Sequence, residues 1–222
     1  EAAKESGLKK GTPVIVGTGD STAEAISVGL VESGTVFFQY GSSMFYYYCV
    51  DRYVDDYVSA NGNGSLKGGK EFTIPGTFCI GDGTNAAGTL TRWVRDTFYE
   101  EELKKERAGG ENAYAVMARE AAEVEAGSEG LIILPYIYGE RSPIQDAKAS
   151  GMLFGLKGTH TRKQINRAAL EAVGYSTLQH MILFDEMNLP PKSVITAGGG
   201  TKNAAWMQII CDMIGRQIGI PK

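Results

Sequence analysis

Residues 194–215, VITAGGGTKNAAWMQIICDMIG, pass from a short β-branched run through three glycines into a stretch whose Trp206, Ile210 and Met213 recur at helical spacing. A strand that turns directly into a helix demands layers around it, because each must bury an apolar face against another element. Such a junction also presents unpaired amide N–H groups and the positive end of a helix dipole, which suits anions and phosphates. Glycines stand at turns for chain reversal alone as well, so the remaining segments must decide what this one is for.

Periodicity predicts a strand over 12–17 and a helix over about 22–30, with Ser21 and Glu24 spaced as a capping box. The run TVFFQYGSSMFYYYCV, broken at Gly41, predicts a hairpin, with Tyr46, Tyr47 and Tyr48 as sheet packing. Lys70 to Ile80 reads as a further strand behind the solvated tip NGNGSLKGG. Residues 86–107 and 111–126 read as helices, the first with Glu100/Lys104 and Glu101/Lys105 on a solvated face. The strand LIILP opens into a long polar loop, YIYGERSPIQDAKASGMLFGLKG, of the kind that usually serves a site. A long helix starts at Thr161, capped by Gln164, with Ile165, Ala169, Val173, Leu178 and Ile182 along one apolar face, and His160 at its entry. No repeat or linker divides the chain, and one α/β unit with a mixed sheet flanked by helices is the economical fold.

Composition removes several functions. The formal charge of −4, from 22 basic and 26 acidic residues, leaves no basic block for nucleic acid or an anionic membrane. No apolar run approaches the roughly 20 residues of a membrane span, and no signal peptide is visible. Cys49, Cys79 and Cys211, set among apolar neighbours, read as buried thiols of a reducing, cytoplasmic compartment, and with His160 and His180 they offer no metal-site spacing.

Three loops could carry chemistry. In Gly17-Thr18-Gly19-Asp20 a strand delivers a carboxylate to a helix start, where it can orient and deprotonate a hydroxyl or simply cap the helix. Gly41-Ser42-Ser43 can surround a phosphate with hydroxyls and backbone, or be a plain hairpin turn. Gly139-Glu140-Arg141-Ser142-Pro143 reads as a surface ion pair ahead of a proline-fixed turn.

Residues 151–171, GMLFGLKGTHTRKQINRAALE, closely resemble the second signature of the FGGY carbohydrate kinases. LPYIYGERSPIQD is similar to that family's P-Y-x-x-G-E-R-x-P segment, and AGGGTKNAAWMQIICDMIG to its G-G-G-x-x-N-x-x-W-x-Q adenosine segment. PVIVGTGDSTAEAISVG resembles its P-V-x-x-G-x-x-D-x-x-A-x-x-x-G, and YGSS its G-T-S loop, with Ser42 in place of threonine. The five segments follow in family order over nearly the whole chain.

The resemblance implies an actin-like ATPase (ribonuclease H-like) domain, the C-terminal half of a two-domain kinase. The first-domain motif D-x-G-T/S-x-x-x-R/K is not found, so residues 1–222 are expected to be a nucleotide-binding piece whose sugar-binding domain is missing. It implies Asp20 as catalytic base, Gly41, Ser42 and Ser43 at the phosphates of ATP, Gly199, Gly200 and Asn203 at its adenosine, and Mg2+ bound mainly through ATP. No metal ligand is assigned to this chain. The expected reaction is phosphoryl transfer to a pentulose; GERSPIQD and FCIGDGTNAAGTLTRWVRD look most like xylulose kinases. Ribulose, gluconate or glycerol, a silent nucleotide- or sugar-binding module, and a homodimer stay open.

Overall fold

The computed structural model describes residues 1–14 and 17–221. Two short helices come first, α1 (Ala2–Ser6) and α2 (Asp20–Ser27). Strands β1 (Thr35–Tyr40), β2 (Met44–Val50), β3 (Tyr57–Val58), β4 (Ser65–Leu66), β5 (Lys70–Glu71) and β6 (Phe78–Thr84) follow. Helices α3 (Gly88–Phe98), α4 (Glu100–Arg107) and α5 (Ala113–Ala122) lead to the pair β7 (Ile132–Leu134) and β8 (Met152–Phe154). The long helix α6 (Arg162–Glu186), strand β9 (Ser193–Ala197) and helix α7 (Ala204–Ile214) complete the chain.

The main sheet has the order β5-β6-β2-β1-β9. β1 and β9 run parallel, with Gln39 opposite Ala197, while β1/β2, β2/β6 and β5/β6 are antiparallel. β1 is apolar on both faces because both are covered. Val36, Phe38 and Tyr40 join Tyr46, Tyr48 and the buried sides of α6 and α7. Phe37 joins Cys49, Cys79 and, from α2, Ala25 with Leu30 just beyond it. Leu90 and Val94 of α3, Met117 of α5 and Ala168, Ala169 and Ala172 of α6 form a third cluster.

Helix α6 starts with the Thr161/Gln164 capping box. The single apolar face expected for it is too narrow, since the helix is buried nearly all round from Asn166 to Phe184, whereas Ile182 is 38% exposed. Beside α6, an Arg162 guanidinium holds Glu102 of α4 and Glu120 of α5 at 2.9 and 2.7 Å and lies 4.3 Å over the Tyr99 ring. Hydrogen bonding to Arg162 holds the Glu102 carboxyl below its usual range. The cluster fixes α5 against α6.

Several local boundaries differ from the sequence reading. The strand over 12–17 falls partly on residues 15 and 16, outside the described residues, and 12–14 and 17 carry no strand. The Ser21/Glu24 capping box does not form, because α2 begins one residue earlier with Gly19 as N-cap and no side-chain cap bond. The strand over 70–80 is divided by a turn at Pro75-Gly76 into β5 and β6. Residues 86–107 divide into α3 and α4 at Tyr99, whose ring is buried. Lys104 pairs with both Glu100 and Glu101.

His180 is wholly buried on α6, its Nδ1 2.7 Å from the Ser176 carbonyl and its Nε2 3.1 Å from Ser142 Oγ. Burial lowers its pKa from the ordinary 6.5 to about 4. The unfolded chain therefore binds a proton that the native one excludes, so stability is full above pH 6.5 and falls as pH drops towards 4. Each pH unit in that window is worth about 1.4 kcal/mol. Urea unfolding is expected to show the wild-type midpoint dropping between pH 7 and 5, with His180→Gln less stable at pH 7 and flatter across the interval.

Candidate active site: a cleft at the ends of two parallel strands

β1 ends at Tyr40 and β9 at Ala197, side by side and pointing the same way. Both run on into glycine, Gly41 and Gly198. Ligands of α/β sheets collect beyond the carboxyl ends of parallel strands, and here a cleft of about 560 Å³ lies between the two turns. That volume falls in the small-molecule range of about 300–1,000 Å³.

Gly41, Ser42, Gly199, Gly200 and Asn203 all line this cleft, joined by Tyr40, Gly88, Arg92, Asn112, Tyr114, Asn166, Lys202 and Trp206. Ser43 stands just behind the lining, its carbonyl accepting from Gly41 N at 3.0 Å. Asp20 lies outside it, exposed at the first position of α2, with Oδ1 accepting from Ser21 N at 2.8 Å.

The 41–43 loop is gripped by the start of α3. Ser42 O accepts from Ala87 N at 3.1 Å and from Thr89 N and Oγ1 at 2.9 Å, and Gly41 O from Gly88 N at 2.9 Å. The loop's carbonyls are thereby committed to the helix, which sets its shape independently of any ligand.

Behind this junction sits Glu140, 2% exposed, so the surface ion pair expected at 139–143 is corrected. Its Oε1 accepts from Asn85 N at 2.8 Å and Arg141 N at 2.7 Å, and Oε2 has no partner. The Arg141 guanidinium instead donates to Thr84 O at 3.2 Å, and Ser142 is buried against His180. These long-range contacts are invisible in the spacing of five residues.

The three glycines after β9 have different reasons. Gly198 has φ +97°, and a Cβ on it would lie 2.6 Å from Tyr40 O. A Cβ on Gly200 would lie 2.8 Å from Tyr40 Cβ and 3.0 Å from the Trp206 ring. Gly199 alone would meet nothing, so its bare face opens to space. Asn203 caps α7, Oδ1 accepting from Trp206 N at 3.0 Å. Of the lining residues not anticipated, Asn112 had a signal, since it precedes a helical run and caps α5; Arg92, Tyr114 and Asn166 had none.

A sequence model of the FGGY family of carbohydrate kinases, C-terminal domain, matches residues 40–222. Asp20 precedes that span. The xylulose kinase of Staphylococcus epidermidis strain RP62A is 30% identical over 216 residues, 97% of this chain and 40% of its own length. The gluconokinase of Bacillus subtilis is 27% identical over 226 residues, 100% of this chain and 42% of its own. The crystal structure of xylulose kinase from Rhodospirillum rubrum superposes with a TM-score of 0.80 at 30% identity, over 99% of this chain and 41% of that one. The chain thus spans about 40% of the length of these relatives.

Two outcomes are expected from this geometry. Gly200→Ala, which must displace Tyr40 or Trp206, lowers the melting temperature, while Gly199→Ala, whose Cβ meets nothing, melts like wild type; thermal unfolding of the two variants checks the contrast. Burial pushes the Glu140 carboxyl up, against the bonds from Asn85 and Arg141. A raised carboxyl pKa gives stability that is present in acid and lost as pH rises. Glu140→Gln, whose amide oxygen keeps both bonds, should match wild type near pH 4 and exceed it at pH 7. Glu140→Ala should lose about 1–3 kcal/mol by leaving two amides unpaired. Urea midpoints at both pH values check the pair.

Proposed function

The chain belongs to the FGGY family of carbohydrate kinases, and from that membership we propose that it is the C-terminal, nucleotide-binding domain of a two-domain sugar kinase. The observation that carries this reading is the meeting of two glycine turns, 41–43 and 198–200, on one cleft beyond adjacent parallel strands. In the proposed complex the phosphates of ATP lie along Gly41, Ser42 and Ser43, and the adenosine against Gly199, Gly200 and Asn203.

Asp20 is assigned as the catalytic base. A sugar hydroxyl oxygen bonds to the γ-phosphorus, its proton passes to the Asp20 carboxylate, and the bond from that phosphorus to the bridging oxygen of ADP breaks. Phosphoryl transfer of this loose kind depends chiefly on alignment and charge stabilisation. Asp20 stands exposed at the first position of α2, and in this proposal its carboxylate orients the hydroxyl. Among the described residues no group of three His, Cys, Asp or Glu is placed to hold a metal ion. No step is assigned to Mg2+; the proposal has it enter with the phosphates.

Xylulose is the first choice of substrate, supported by the relatives of that name at 30% identity. Gluconate is second, supported by the gluconokinase match along the whole chain. The complementary domain supplies the remainder of the sugar site in this proposal, so the 222 residues alone are expected to release no ADP in response to sugar. The test is sugar-dependent ADP release by the full-length protein with Mg-ATP and xylulose, ribulose, gluconate or glycerol. One sugar should stimulate release, and Asp20→Asn should lower kcat by about 10²-fold or more. No stimulation by any of the four overturns the kinase reading and favours a silent binding module, whereas an unimpaired variant removes Asp20 from the role of base.

A further inference from the structure

Along β1 the side chains alternate between the two faces of the sheet. Phe37 packs on the α2 side, where Ile195 and Ala197 of the neighbouring strand also lie, and Gln39 follows two residues later. Gln39 is therefore the last residue on that face before the phosphate loop, an amide where the layer is otherwise apolar. A half-buried amide at such a place is costly unless it is bonded. Its Nε2 donates to Glu24 Oε1 at 3.3 Å, and its Oε1 lies 2.9 Å from where a Cβ on Gly41 would stand. One side chain thus touches α2 at one edge and lies across the first residue of the loop at the other.

Glu24 follows Asp20 by four residues on α2, one helical turn and about 6 Å along the axis. The rest of the α2 seat is apolar, through Ala25, Ile26, Val28 and Leu30. Apolar burial is non-directional and holds a helix on a sheet without fixing its slide or rotation. Among the described residues, the Gln39–Glu24 bond is the one side-chain hydrogen bond between α2 and the main sheet.

We propose that Gln39 and Glu24 are a positioning pair that fixes where Asp20 stands relative to the phosphate loop. The inference rests on the kinase reading given above. The pair touches neither sugar nor nucleotide; it acts by registering the helix that carries the base against the loop that carries the phosphates. An error of about 1 Å in such alignment can cost about 10²-fold in rate.

The test uses the full-length protein with its best sugar, measuring kcat, KM for ATP and melting temperature for Gln39→Glu, Glu24→Gln and the double exchange. Gln39→Glu sets two carboxylates against each other, and the double exchange restores an amide–carboxylate bond with its polarity reversed. Gln39→Glu should lower kcat about tenfold or more with KM for ATP within about threefold of wild type, and the double exchange should recover most of the loss. Wild-type kcat in Gln39→Glu, no recovery in the double exchange, or a loss confined to KM would each overturn the pair. So would a loss of rate that only follows a loss of melting temperature. Wild-type protein that phosphorylates none of the sugars would instead remove the kinase reading, and this inference with it.

Discussion

Helix α6 is the part against which β1, α5, α7 and the turn before β7 are indexed, and polar bonds through its buried surface do the indexing. Thr177 Oγ1 meets Tyr40 Oη at 3.0 Å, at the end of β1. The Leu170 carbonyl accepts from Trp206 Nε1 of α7 at 3.2 Å, and Asn166 Nδ2 donates to Met117 O of α5 at 2.7 Å. Glu171, 2% exposed, accepts from Gly127 N, Ser128 Oγ and Arg167 Nε at 2.7–2.9 Å, tying the turn before β7 to the same helix. Apolar contact would hold these parts together, but directional bonds to buried partners select one arrangement among many of similar burial.

The cleft inherits its shape from this indexing. Its floor is Tyr40 and Trp206, 5.9 Å apart between ring centroids, each bonded through its polar atom to α6. One wall is α5, held through Asn166 and the Arg162 cluster, and the other is α3, whose first turn grips the 41–43 loop. The fold is that of the FGGY sugar kinases, an actin-like ATPase half. A ligand would enter a site whose walls are already fixed by contacts remote from it.

Local chemistry was legible in the sequence. The capping box at Thr161, the hairpin broken at Gly41 and the turn after β9 each depend on residues close in the chain. The Pro75-Gly76 break is equally visible, as a dipeptide that favours turns. What could not be read was contact across the fold. The partners of Glu140 come from the segment leading into α3 and from its own neighbour, and Tyr99, where the helical pattern breaks, is buried with its hydroxyl donating to Glu120 of α5 at 2.8 Å. Tertiary contacts of this kind override propensity. The lining residues Arg92, Tyr114 and Asn166 come from three different helices and share no sequence signal.

Because Tyr40 and Trp206 are at once cleft floor and buried core, a change to either alters stability and ligand shape together. The floor therefore cannot be reshaped without a cost to the core. Arg92 and Lys202 line the same cleft yet are exposed, and they belong to none of the three buried clusters of the described residues. Substitution there carries small cost to folding, so the charge and shape of the rim can change while the floor stays the same.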